Sequence, residues 1–152
     1  MAVSSKHTGW RYDAANSRLD FYYQGTRIGH INASGDLAIV AGTLDVQDGG
    51  ATGQLTSKST TVGLNTHSGQ ITMDDATLAA AAEVTFTVTN SQVAATDVVI
   101  VNHGSAGTNG AYLVGAGLIA SGSFTITVAN LSAGALSEAI VINFVVIKGA
   151  SS

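Results

Sequence analysis

EVTFTVT, residues 83–89, sets Val84, Phe86 and Val88 on one side of an extended chain and Thr85, Thr87 and Thr89 on the other. SFTITVA, residues 123–129, repeats the pattern, with Phe124, Ile126 and Val128 opposite Ser123, Thr125 and Thr127. A period of two in β-branched and aromatic residues marks a strand with one buried face and one wet face. These two segments decide an all-β reading, and the rest of 51–152 extends it. Leu55–Leu64 is rich in Thr and Ser, Gln70–Met73 is short, and Asp97–Asn102 is rich in Val and Ile. Ala111–Ile119 follows the Gly-rich loop 104–110, and Ala139–Lys148 comes last. Short strands at this spacing are those of an antiparallel β-sandwich, here jelly-roll-like. Asp74–Ala82, DDATLAAAA, fits one or two helical turns or, equally, an apolar loop on the sandwich rim.

The last strand differs from the others. Ile140, Ile142, Phe144 and Val146 form one face, while Val141, Val145 and Ile147 make the opposite face apolar too. A strand apolar on both faces has to be covered on both. The second cover is either a subunit contact or the N-terminal part of the same chain.

Upstream, the composition changes. Residues 1–50 hold four of the six basic residues and five of the nine aromatics, Trp10, Tyr12, Phe21, Tyr22 and Tyr23. The Gly-rich stretch Asp48–Gly53 reads as a linker or turn, which puts the boundary between segments 1–50 and 51–152. Trp10–Asp13, Arg18–Gln24, Arg27–Asn32, Leu37–Val40 and Thr43–Val46 read as short strands around turns at 14–17, 25 and 33–36. In the second of these, Leu19, Phe21 and Tyr23 share one face and Asp20 and Tyr22 the other. Hairpins of this size are marginal alone, so the segment needs another surface to be ordered. Interface centres are rich in Trp, Tyr and Arg, and Trp10, Arg11, Tyr12, Tyr22, Tyr23 and Arg27 supply those types. Together with Val141, Val145 and Ile147 they are the candidate interface residues. The segment reads as an anchor or as a stalk.

Composition excludes several classes of function. The chain of 152 residues is 45% hydrophobic but only 11% charged, with 18 Gly and no Cys or Pro. Without Cys there is no disulfide scaffold, thiolate zinc site or Cys nucleophile. Six basic residues without a cluster, at net charge −4, do not make a nucleic-acid surface. No apolar run approaches the roughly 20 residues of a membrane-spanning helix, and MAVSSKHTGWRYD does not read as a secretory signal. None of His7, His30, His67 and His103 has a His, Asp or Glu at metal-site spacing, so no metal or cofactor is expected. His67 and Ser68 with Asp74 or Asp75 echo a catalytic triad, but no nucleophile elbow surrounds Ser68, and 65–69 reads as a hairpin turn. Most of the Asp residues sit in turns, where their backbone-bonding chemistry explains them without catalysis. A non-enzymatic protein is the expectation.

Three blocks carry a family likeness: TSKSTTVGLNTHSGQITM at 56–73, LAAAAEVTFTVTNSQVAATDVVIVNHGS at 78–105 and GSFTITVANLSAGALSEAIVINFVVIK at 122–148. Across Gln54–Lys148 the chain resembles a β-sandwich domain of tailed-bacteriophage virion proteins. GWRYDAANSRLDFYYQGTRIGHINASGDL, residues 9–37, is similar to short β segments of phage fibre and head-decoration proteins. Ala79–Ala82 departs from the pattern, since relatives often carry a Gly there. The resemblance implies a homotrimeric capsid decoration (cement) protein or head fibre, made in the bacterial host cytoplasm and bound to the major capsid protein on the virion exterior. It implies no enzyme activity, cofactor or metal. The alternative within the same group is a tail-fibre adhesin that binds a host surface glycan.

Overall fold

The computed structural model describes residues 8–46 and 49–149, and among them the chain is all strand, turn and loop, with no helix. It divides into two compact units at Asp45/Val46. The boundary therefore lies upstream of the Gly-rich stretch. His7 and Asp48 lie outside the described residues.

Unit 1 is a single four-stranded antiparallel meander, β1 (Gly9–Asp13), β2 (Arg18–Tyr23), β3 (Thr26–Ile31) and β4 (Leu37–Ile39), in that order across the sheet. Its turns use the residues that favour them. Asn16 closes the first by donating to Asp13, and Asn32 closes the third by accepting from the Ser34 and Asp36 N–H groups. Between β2 and β3 the register slips by one at Phe21/Tyr22, which leaves Ile28 as a bulge. Its carbonyl accepts from both Val40 and Ala41 and turns the chain after β4. No strand follows over Thr43–Val46, contrary to the sequence reading.

Unit 2 holds β5 (Ala51–Gly53), β6 (Val62–Gly63), β7 (Ser68–Thr72), β8 (Glu83–Thr89), β9 (Val98–Ser105), β10 (Tyr112–Ala120), β11 (Ser123–Asn130) and β12 (Val141–Ile147). They form two sheets, in the orders β10-β11-β8-β6 and β5-β7-β12-β9. Both contribute to one core. Phe86, Val88, Phe124, Ile126 and Val128 from the first sheet share it with Ile71, Ile142, Phe144 and Val146 from the second. The Phe124 and Phe144 rings meet with centroids 5.5 Å apart. Outside, the first sheet keeps its threonines in cross-strand pairs, Thr85 opposite Thr127 and Thr87 opposite Thr125.

Four expectations need correction. The sheets are mixed, because the short edge strands β5 and β6 run parallel to β7 and β8. The Gly-rich stretch is no linker: Ala51–Gly53 is β5, and the Gly50 carbonyl accepts from Gln70. Leu55–Leu64 is mostly loop, because the Gln54 amide donates to the carbonyls of Lys58 and Thr60 while Thr60 Oγ1 accepts from the Ser57 N–H. These local bonds compete with a ladder for the same backbone groups. Residues 65–67 cross from one sheet to the other instead of closing a hairpin, since β6 and β7 belong to different sheets. Asp74–Ala82 resolves to loop, tied by a bridge between Leu78 and Leu136.

Candidate functional site

The six interface candidates of unit 1 do not share a surface. Register and alternation place Trp10 and Tyr12 of β1 beside Leu19 and Phe21 of β2, Gly29 and Ile31 of β3, and Leu37 and Ile39 of β4. Tyr23, beside Thr26, is likewise exposed. No strand residue on this face is charged. Much of it is open: Trp10 is 69% exposed, Leu37 66% and Tyr12 61%. A sheet normally buries its apolar face against a second layer, and among the described residues unit 1 has one layer.

Arg11, Tyr22 and Arg27 lie on the reverse face with Arg18 and His30. Here it is a charge that is buried. The Asp20 carboxylate, 1% exposed, accepts from Arg18 Nε at 2.8 Å, and more weakly from Arg27 Nη1 and the Tyr22 hydroxyl, both at 3.4 Å. The Arg11 guanidinium lies over the Tyr22 ring, 5.9 Å from its centroid. A buried carboxylate is tolerable only with such partners. On the polar face of unit 1 the buried Asp20 carboxylate is thus satisfied, although His30 Nδ1 is enclosed without a hydrogen-bond partner, while on the apolar face Trp10, Tyr12 and Leu37 stay open.

In unit 2 the other three candidates line the outer face of β12. Val141 and Val145 are half-buried and Ile147 is exposed. Val145 pairs with Ile100 and Ile147 with Val98, so the apolar patch continues onto β9. Beside it runs an amide row, Gln70, Asn143 and Asn102, across β7, β12 and β9. Asn143 Oδ1 is enclosed without a hydrogen-bond partner, which marks a polar atom that a covering surface could satisfy.

Two carboxylates hold the loops of unit 2. Asp97 accepts from the N–H groups of Ala94 at 2.8 Å and Gly149 at 3.1 Å and from the Lys148 ammonium. The Ala94 bond first, then Lys148, brings its carboxyl down to about 2. Glu138 accepts from the Thr108 N–H and hydroxyl and from the Tyr112 hydroxyl, and these bonds lower it as well. A carboxyl lowered by folding adds stability that is present above its unfolded range and is lost as pH falls through the folded value. Unit 2 is therefore expected to lose stability on acidification from about pH 4.5 toward 2. Denaturant titrations across that range check this, and Asp97→Asn should flatten the dependence. An unchanged slope in the variant would show that Asp97 is not the group responsible.

Lys58 was not legible as a structural residue. Its ammonium is buried and donates to the carbonyls of Asp74 and Glu138, joining two loops. Burial lowers its pKa, and Asp74, Asp75 and Glu138 oppose that shift.

The residues read for chemistry have structural engagements. Ser68 Oγ donates to the Val46 carbonyl, and Asp74 Oδ1 accepts from the Ala76 N–H. His103 Nε2 lies 2.7 Å from the Ala106 carbonyl, with its ring edge-on to Tyr112. Among the described residues no group of three or more His, Asp or Glu is placed to hold a metal ion, and no helix could cross a membrane. No family model, curated protein or solved structure matches the chain.

Proposed function

We propose that this chain is a non-enzymatic structural protein of a tailed-phage virion, a capsid decoration protein or head fibre. Unit 1 is its assembly element, and unit 2 is a jelly-roll-like sandwich carried outward. The observation that carries the reading is the apolar face of unit 1, which is open among the described residues. The sequence resemblance supplies the setting, and the apolar outer face of β9 and β12 supports a homotrimer. The major capsid protein is the partner, reached through unit 1, whose reverse face offers Arg11, Tyr22 and Arg27.

Heads that lack their decoration protein test this directly. The full chain should co-sediment with them, whereas a chain without residues 1–46 should keep the sheet content of unit 2 by circular dichroism and stay in solution. Retained binding by the shortened chain would move the anchor into the sandwich. Failure of the full chain to bind would remove the capsid reading.

A further inference from the structure

The apolar face of unit 1 has a knob at one side and a hole at the other. The knob is Trp10, on the edge strand β1. The hole is a groove of about 270 Å³ bounded by Phe21, Ile28, Leu37, Ile39, Ala41 and Thr43, with Gly29 in its floor. Gly29 is required there, because a Cβ would stand 2.8 Å from the Ala38 carbonyl oxygen. The groove falls just below the roughly 300 Å³ at which sites for drug-sized ligands begin. It suits one bulky apolar side chain better than a separate ligand.

Knob and hole lie on the same face, but Trp10 does not line the groove: Phe21, its cross-strand neighbour, stands between them. A second copy rotated about an axis parallel to the strands brings its β1 over β3 and β4 of the first. Packed sheets stand about 10 Å apart, a gap that large side chains from the two faces fill between them. Charge permits the contact, because the face has no charged strand residue although each chain carries a net charge of −4.

We propose that this face is where two copies of the chain meet, the Trp10 indole of one filling the groove between β3 and β4 of the next. The proposal rests on reading unit 1 as an assembly element, and it names the partner of that face. The same contact can be reciprocal in a pair or pass from copy to copy around a closed ring. It also leaves the reverse face of unit 1, with Arg11, Tyr22 and Arg27, free for the particle. Four strands of three to six residues offer a small area, below that of standard interfaces. Association in the micromolar range, rather than the nanomolar, is therefore expected.

Trp10 is the only tryptophan in the chain, so its fluorescence reports on this face alone. Sedimentation velocity and emission spectra of the full chain should be followed together from about 0.1 to 300 µM, a range that brackets micromolar binding. As mass rises, the emission should shift to the blue with the same midpoint. Trp10→Ala should weaken association by about tenfold or more. Trp10 is mostly exposed, so the far-ultraviolet circular dichroism of that variant should match the parent. Ala41→Phe, which fills the groove from within, should weaken association equally and leave the Trp10 emission red.

Three results would overturn the proposal. The chain could associate with Trp10 emission unchanged, which assigns assembly to another face. It could remain monomeric throughout. It could emit in the blue while monomeric, which means that its own residues cover the indole. Any of these, alongside binding to undecorated heads, leaves the virion reading standing. Association without head binding does the reverse.

Discussion

Asn130→Leu is expected to destabilise unit 2 by about 2–4 kcal/mol, from the 1–3 kcal/mol typical of each buried polar group left unpaired. Asn130 is fully buried at the end of β11. Its Nδ2 lies within 3.1 Å of three carbonyl oxygens, those of Leu78, Ala79 and Gly134, and its Oδ1 accepts from the Ser132 N–H and hydroxyl. One side chain thus ties the 74–82 loop to the 131–136 loop. Leucine has similar bulk but neither donates nor accepts, so it strands several backbone groups at once. Denaturant unfolding measures the loss. Ser132→Ala, which removes a single hydroxyl, should cost about 1 kcal/mol. Near-equal effects of the two variants would mean that Asn130 acts only by filling space.

Phe124→Ala should be costlier, about 3–5 kcal/mol, the usual range for removing a buried phenyl ring. Phe124 is fully buried and packs across the core on Phe144, joining the two sheets of unit 2. The loss combines transfer of the ring to water with the cavity left behind, since close-packed neighbours relax only in part. Its strand neighbour Thr125 faces outward, and Thr125→Ala should stay within about 0.5 kcal/mol of the parent. The same denaturant measurement separates the two. A Phe124 variant that loses less than about 1 kcal/mol would show that the sheets close over the gap.

These residues also show where the sequence was readable. Phe124 was legible because alternation states which side of a strand is buried. The same rule found β2 and the inner face of β12, while turn residues between short apolar runs marked the other strands of unit 1 and also a fifth, at 43–46, that the structure lacks. Asn130 and Lys58 were not, because their partners are backbone carbonyls in distant loops, and no local pattern reports a polar side chain that satisfies someone else's backbone. The short parallel strands β5 and β6 escaped for a related reason. Two or three residues carry no periodicity, and their pairing is fixed by the long strands beside them. For the interface candidates, composition singled out a segment but did not separate its two faces. Residue type grouped Trp10 with Arg11, whereas the pleat separates neighbours. Once the strands are known, alternation alone divides Trp10 and Tyr12 from Arg11, Tyr22 and Arg27. The closure of the polar face around Asp20 needed the folded geometry.

The place of β12 also orders events in time. It is the last strand in sequence, yet it stands between β7 and β9 in its sheet. As the polypeptide is synthesised from its N-terminus, β9 has no ladder partner and β7 has an open edge until 141–147 emerges. Unit 1, a meander of consecutive strands, needs only local pairings, whereas unit 2 depends on distant ones and closes late. During that interval a nascent chain displays unpaired strand edges beside an apolar sheet, a combination prone to aggregation. A polypeptide halted before Val141 is thus not a slightly shortened domain but one that lacks the centre of a sheet.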